Sequence, residues 1–123
     1  MNIALWIVQI LLALAFLLAG TMKVTRPIEE LAKRMGWVND FKPQTVRLVG
    51  TLEILGAVGL ILPALTNILP WLTPLAAAGL VLTMIGAMIT HIRRGEAYRT
   101  PINIVLLVLA AFVVYGHLLA VSA

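Results

Sequence analysis

One acidic residue, Glu53, lies well inside an otherwise apolar stretch of the sequence. It falls six residues after Arg47, about 9 Å further along if the stretch is helical, and it carries the only charge between residues 48 and 62. A carboxylate in such a setting is costly unless it faces a protein interior, a cation or a wet cavity. A desolvated carboxylate can act as a general acid or base, or anchor the polar head of a ligand. Glu53 is therefore the first candidate for chemistry.

Three basic side chains near the ends of apolar stretches are candidate partners of this carboxylate: Lys23, Arg47 and His91. Further polar candidates within or beside these stretches are Gln9, Thr83 and Asn103. We group five of these residues as one predicted polar cluster: Glu53, Lys23, Arg47, His91 and Gln9. Two interpretations stay open. The cluster is either a pocket for a headgroup, a quinone or a proton, or an ion pair that fixes helix register.

The elements that position these residues follow from the composition. Of 123 residues, 62% are hydrophobic and 11% are charged, against roughly 45–50% and 25% in an average soluble domain. A membrane-spanning helix needs roughly 20 mostly apolar residues. Four stretches fit, at about residues 3–22, 46–62 (stopping before Pro63), 71–90 and 102–121. We predict one all-α domain over residues 1–123, an integral membrane bundle of four antiparallel helices within the lipid bilayer.

The distribution of charge predicts the orientation of this bundle. All nine Lys and Arg residues fall in or beside two connections, residues 23–47 and 93–99. Positively charged connections remain on the cytoplasmic side of a membrane. We therefore expect a multi-pass cell-membrane protein with both termini outside and the first and third connections in the cytoplasm. This topology accounts for the net charge of +4, so no nucleic-acid partner is expected.

The first connection contains a short amphipathic pattern over residues 27–36. Apolar residues recur there at helical spacing, and charged residues fill the other face. Pro27 suits a helix start and Gly36 a helix end. The pattern predicts a short helix on the cytoplasmic membrane surface. A docking surface for a soluble partner is the alternative.

Several chemistries find no support in the sequence. There is no cysteine, which excludes thiol nucleophiles, disulfides and cysteine-ligated metals, and we predict no metal site. His91 is expected near one end of the third span. His117 follows Pro101 by 16 residues, about 24 Å along the fourth. One haem cannot take both as axial ligands, so haem is not expected, and a quinone is the one candidate cofactor.

Three segments together resemble the DoxX-like family of small membrane proteins: residues 16–23 (FLLAGTMK), 50–56 (GTLEILG) and 86–96 (GAMITHIRRGE). The resemblance covers almost the whole chain and implies the same four-span fold. The shared positions are Gly20, Lys23, Gly50, Glu53, Gly56 and His91. Four glycines, Gly20, Gly50, Gly56 and Gly86, are predicted to let helices pack closely.

The resemblance also implies a functional setting. The wider family includes small subunits associated with thiosulfate:quinone oxidoreductase, partners of redox-detoxification complexes, and proteins supporting methylamine dehydrogenase maturation or membrane-protein trafficking. We therefore expect an accessory or anchor subunit of a quinone-linked redox system, with a soluble or membrane oxidoreductase as partner and self-association left open. The alternative is a membrane-embedded enzyme or binding protein for a small hydrophobic molecule, with Glu53 at the centre of its pocket. The sequence leaves open whether the protein is catalytic.

Overall fold

The computed structural model describes the backbone of residues 3–122 and the side chains of residues 3–118. This part of the chain folds into five α-helices: α1 (Ile3–Thr25), α2 (Ile28–Arg34), α3 (Pro43–Thr66), α4 (Leu72–Arg93) and α5 (Thr100–Ser122). Two short 3-10 turns, Gly36–Asp40 and Ala97–Arg99, lie in the first and third connections. The all-α prediction is confirmed.

The four long helices are membrane-spanning by length and by surface. They contain 22 to 24 residues each, or about 33–36 Å of helix, and the hydrocarbon core is about 30 Å thick. All four are apolar enough to cross a bilayer. Their outer faces carry large apolar side chains, and Leu11, Leu82 and Val108 are each more than half exposed. Lipid, and not water, is the solvent that such a surface requires, and the predicted membrane bundle is confirmed.

The long helices form a closed antiparallel ring in which α1 and α4 each pack against both α3 and α5. The centre of the ring is filled by apolar side chains, among them Leu12, Phe16, Leu60, Leu80 and Val113. We name the two ends of the ring by their charge. The basic end is where α1 and α4 finish and α3 and α5 begin, because the basic residues gather there. The opposite end holds the connection between α3 and α4.

The predicted helix end before Pro63 is wrong, because α3 runs through Pro63 to Thr66. A proline inside a helix removes one N–H and leaves the carbonyl four residues earlier without its donor. That carbonyl belongs to Gly59, and the Thr73 hydroxyl of α4 donates to it over 3.0 Å. Membrane helices tolerate proline where a neighbouring helix satisfies the freed carbonyl in this way. The helix ends instead at Thr66, and the capping residue Asn67 adopts the left-handed conformation at φ 57° that is common at helix C-termini.

The first connection folds back onto the bundle. Helix α2 is shorter than the predicted 27–36, and a 3-10 turn follows it. Leu31 of α2 and Val38 of the turn are buried with Val46 of α3 in a small second core. Gly36 lies against the Arg94 guanidinium, and a Cβ there would come within 2.7 Å of Arg94 Nη2. This packing fixes the turn residues over the basic end of the bundle.

Candidate functional site

The Glu53 carboxylate forms a buried ion pair with Lys23. Lys23 Nζ on α1 donates to Glu53 Oε1 on α3 over 2.6 Å, and the two residues are 8% and 2% exposed. Withdrawing both charges from water is expensive and is tolerated only where the geometry is good. Lys23 also lies 6.0 Å from the centre of the Trp37 ring, a distance at which cation and ring attract. An ammonium has three N–H donors, and Glu53 accepts one of them.

Two glycines bring α1 and α3 close enough for this pair to form. A Cβ at Gly20 would lie 2.5 Å from the Gly50 carbonyl oxygen, and one at Gly50 would lie 2.7 Å from Lys23 Cβ. Gly56 plays the same part between α3 and α4, where a Cβ would meet Leu80 at 2.9 Å. Small residues at such contacts let two membrane helices approach closely.

Gly86 does not pack against a helix, contrary to the prediction. A Cβ placed there would have no neighbouring atom within 4 Å, and the residue is exposed on α4. Gly116, which the sequence analysis did not single out, is a packing glycine instead. A Cβ at Gly116 would lie 2.5 Å from Leu5 Cδ2, where α5 crosses α1. Sequence alone does not fix which face of a uniformly apolar helix its glycines occupy.

Arg47 was predicted beneath Glu53, but it turns toward the end of α1. Its Nη1 donates to the carbonyl oxygens of Lys23 and Arg26 at 2.6 and 2.7 Å. The last four carbonyls of a helix lack intrahelical donors, and basic side chains commonly satisfy them. Arg47 therefore holds the end of α1 that carries Lys23. It positions the ion pair without joining it.

His91 likewise forms a different pair from the predicted one. His91 Nδ1 donates to Glu96 Oε1 over 3.2 Å, and Arg94 Nε donates to the same oxygen over 3.3 Å. Arg94 also forms an ion pair with Asp40 in the first connection. The hydrogen bond from His91, followed by the charge and hydrogen bond of Arg94, holds the pKa of Glu96 below its ordinary value. This network links the end of α4 to the turn that covers the basic end.

Gln9 lies far from Glu53, so its place in the predicted cluster is wrong. It precedes Lys23 by 14 residues, about 21 Å along α1, and belongs to a second polar region. Gln9 Nε2 donates to the Leu60 carbonyl over 2.7 Å, and its Oε1 accepts from His117 Nε2 over 2.8 Å. We call Gln9, His117 and the Leu60 carbonyl the Gln9 cluster. It ties α1 to α3 and α5 near the opposite end.

A cavity of about 610 Å³ occupies the basic half of the bundle, and the Lys23–Glu53 pair lies in its wall. Apolar side chains from the long helices line most of it, including Phe16, Met84, Ala87, Ile102 and Leu106. The polar residues of the wall are Lys23, Thr45, Glu53, Thr83, Thr90, His91, Arg99 and Asn103. The cavity thus combines an apolar body with a charged and polar end, as sites for amphipathic small molecules do.

Three cavity residues come from the first connection: Met35, Trp37 and Phe41. The Trp37 and Phe41 rings contact edge to face, with centres 5.7 Å apart. The sequence pattern predicts a helix on the membrane surface here and identifies neither aromatic ring, nor Arg99, as part of the site. No local signal identifies them, because their position depends on the connection folding back over the bundle. Within the part of the chain that the structure describes, no group of three His, Cys, Asp or Glu residues could hold a metal ion.

Four membrane-spanning helices around a buried ion pair and a cavity define a small multi-pass membrane protein with an intramembrane polar site. The chain belongs to the DoxX-like family, whose model matches residues 7–113. The resemblance inferred from the three sequence segments is thereby confirmed. Comparison with curated proteins and with solved structures finds no match.

Proposed function

We propose that this protein binds a small hydrophobic molecule with a polar head inside its bundle, and that a quinone is the class of ligand. The observation that carries the proposal is the cavity with the Lys23–Glu53 pair in its wall. Its volume of about 610 Å³ falls within the range of roughly 300–1,000 Å³ that small-molecule sites occupy.

The chemistry of the wall favours a quinone. A quinone ring is flat and apolar, with carbonyl oxygens that accept hydrogen bonds. Phe16, Met84 and Leu106 provide apolar surface for the ring, and Trp37 adds an aromatic face. Lys23 provides N–H donors beyond the one that Glu53 accepts. The site therefore suits a ligand whose body is apolar and whose polar atoms are acceptors.

The ligand would reach the cavity from the bilayer, between α3 and α4. These helices pack closely toward the opposite end, where a Cβ on Gly59 would meet Ala76 at 2.8 Å. Toward the basic end, Gly86 of α4 leaves an open gap at the surface of the bundle. Leu52 on α3 is 53% exposed to the surroundings and yet lines the cavity, as does Gly86 on α4. This gap gives a hydrophobic tail a path into lipid.

Fluorescence quenching by duroquinone in lipid nanodiscs tests the proposal. Replacing Trp6 and Trp71 by Phe leaves Trp37, in the cavity wall, as the single reporter. Replacing Trp6 and Trp37 leaves Trp71, which is 57% exposed at the opposite end. We expect saturable quenching of Trp37 and only linear quenching of Trp71. Quinone dissolved in lipid reaches both residues, but quinone bound in the cavity lies beside Trp37 alone.

Substitutions at two matched glycines on α4 test where the duroquinone binds. Gly86 lines the cavity and Gly79 does not, and a Cβ at either has open space. Gly86→Phe should abolish the saturable component, and Gly79→Phe should keep it. Linear quenching of Trp37 in the unmodified protein, or equal effects of the two substitutions, would defeat the proposal and favour a structural role for the ion pair.

The second candidate function is an accessory subunit that presents this quinone to an oxidoreductase. It is favoured by the exposed basic residues Lys33, Arg34 and Arg93 at the basic end, which offer a charged surface to a partner. A partner crosslinked in native membranes should oxidise or reduce quinones, and Lys33→Glu with Arg34→Glu should lose it while keeping duroquinone binding. A partner without redox activity would remove this candidate and leave the ligand proposal standing.

We further propose that the basic end lies in the cytoplasm of a cell-membrane protein, with both termini outside. The support is the confinement of all Lys and Arg residues to that end. The chain has no cysteine, so Lys42→Cys and Ile68→Cys each create a single labelling site at an exposed position. A membrane-impermeant maleimide should label Ile68→Cys in intact cells and Lys42→Cys only in inverted vesicles. The reverse pattern would overturn the orientation.

A further inference from the structure

Asn103 is a buried amide whose donor group is unused. It lies in the first turn of α5, is 7% exposed and lines the cavity. Among the side chains that the structure describes, its Nδ2 is the one buried nitrogen or oxygen atom without a hydrogen-bond partner. An amide donor buried without an acceptor costs free energy.

Several other polar side chains of the cavity wall already have partners. The Thr83 and Thr90 hydroxyls donate to carbonyls one turn earlier in α4, both over 2.9 Å. Glu53 accepts from Lys23. Asn103 therefore differs from these neighbours, because it lines the cavity while its buried Nδ2 has no acceptor in the described part of the chain.

We propose that Asn103 donates a hydrogen bond to a carbonyl oxygen of the ligand and so selects a carbonyl compound over a hydrocarbon of the same shape. This inference rests on the proposed ligand function of the cavity and names the atom that recognises the ligand. A site built to hydrogen-bond a substrate rejects an analogue that lacks the matching group, because the site's own polar group is then left unpaired. Asn103 would act as a specificity-determining residue, with no bond made or broken.

The probes are duroquinone and durene, which share a tetramethyl-substituted six-membered ring and differ in the two carbonyl oxygens. Binding of duroquinone is read from quenching of Trp37 in the chain that lacks Trp6 and Trp71. Binding of durene is read from its competition with duroquinone, with both concentrations expressed per lipid. In the unmodified protein we expect duroquinone to bind about tenfold more tightly than durene, as one hydrogen bond to a buried donor can provide.

Asn103→Leu removes the donor and keeps a similar shape. It should weaken duroquinone binding about tenfold and leave durene binding within about twofold. Gln9→Leu is the matched control, because it makes the same change in the Gln9 cluster, outside the cavity. It should leave the preference for duroquinone unchanged.

The outcomes separate the two proposals. If Trp37 quenching is not saturable in the unmodified protein, the ligand function fails and the role of Asn103 fails with it. If duroquinone binds saturably but durene binds equally well, the ligand function stands and the role of Asn103 is overturned. Because this preference is measured without any substitution at Asn103, its absence overturns the role of Asn103 even where Asn103→Leu does not fold. If Asn103→Leu folds and keeps the preference, another donor selects the ligand and the role of Asn103 is likewise overturned.

Discussion

Two polar regions lie at different depths of this bundle, and they differ in how fully their hydrogen-bonding groups are used. In the Gln9 cluster, the Gln9 amide donates to the Leu60 carbonyl and accepts from His117, within a packed part of the ring. In the cavity region, Lys23 and Glu53 are paired, but Asn103 Nδ2 has no partner within the described part of the chain. The first region has the features of a structural tie, and the second has those of a binding site.

Residues near the ion pair at the basic end do not all take part in it. Arg47 and His91 lie near the ion pair, yet each bonds elsewhere: Arg47 to the end of α1 and His91 to Glu96. Both hold in place an element that forms the cavity wall. Charged residues that lie at the same end of the bundle therefore do not all share one function.

The largest effect is expected from breaking the buried ion pair. Lys23→Met leaves the Glu53 carboxylate without its cation inside the bundle, which should lower the free energy of unfolding by about 3–5 kcal/mol. Adding Glu53→Leu removes the remaining charge and should restore most of that loss. Reversible unfolding in mixed micelles measures both. A double variant no more stable than Lys23→Met alone would contradict a pairwise charge effect.

Alanine substitutions should destabilise the protein at a glycine that packs against a helix and not at a glycine that lines the cavity. Gly20→Ala places a Cβ about 2.5 Å from the Gly50 carbonyl, so α1 and α3 must separate, and we expect a loss of about 1–3 kcal/mol. Gly86→Ala meets no neighbouring atom within 4 Å and should be neutral or gain up to about 1 kcal/mol from helix propensity. The same unfolding measurement compares them. Equal losses would mean that the helix contact at Gly20 is not the tight one.

Replacing each of the two buried amides by leucine should have different effects on the free energy of unfolding. Gln9→Leu leaves the Leu60 carbonyl and His117 without their partner, and we expect a loss of about 1 kcal/mol, as for other hydrogen bonds between membrane helices. Asn103→Leu removes an unpaired donor, so it should leave stability unchanged or raise it. The comparison fails if Asn103→Leu destabilises the protein as much as Gln9→Leu does.

The smallest effect concerns Glu96, outside the membrane-spanning segments. Its pKa is lowered in the folded protein from an ordinary value of 4.5, so its charge stabilises the fold at pH values above 4.5. That contribution is lost as the pH falls from 4.5 toward the lower folded pKa. Glu96→Gln should therefore flatten the pH dependence of unfolding below pH 4.5. An acid profile identical to that of the unmodified protein would contradict the His91–Glu96–Arg94 network.

The fold is largely predictable from the sequence, because hydropathy alone determines where a chain can cross a bilayer. The four long helices appear close to their predicted places. The error at Pro63 has a specific cause, since the hydroxyl that satisfies the freed Gly59 carbonyl belongs to α4. A local rule that proline ends a helix does not account for a donor supplied by another helix.

The candidate site is predictable only in part. Glu53 stands out as a charge in an apolar stretch, and Lys23 is within reach because both lie near the same end. The wrong placement of Gly86 comes from helix rotation, which a stretch apolar on all faces does not specify. The error at Gln9 is one of depth, because Gln9 lies about 21 Å along α1 from Lys23, a separation that the sequence already implies. The contribution of Trp37 depends on the tertiary packing of Leu31 and Val38, and no periodicity in the sequence encodes it.

Photolabelling with an azido-substituted quinone tests the contrast between the two polar regions most directly. The protein is illuminated in nanodiscs at low quinone concentration, and the labelled peptides are identified by mass spectrometry. We expect label at cavity residues such as Trp37 and Met84, and competition by unlabelled duroquinone. Label around Gln9, or label that duroquinone does not displace from lipid-facing residues such as Leu11 and Val108, would contradict this expectation.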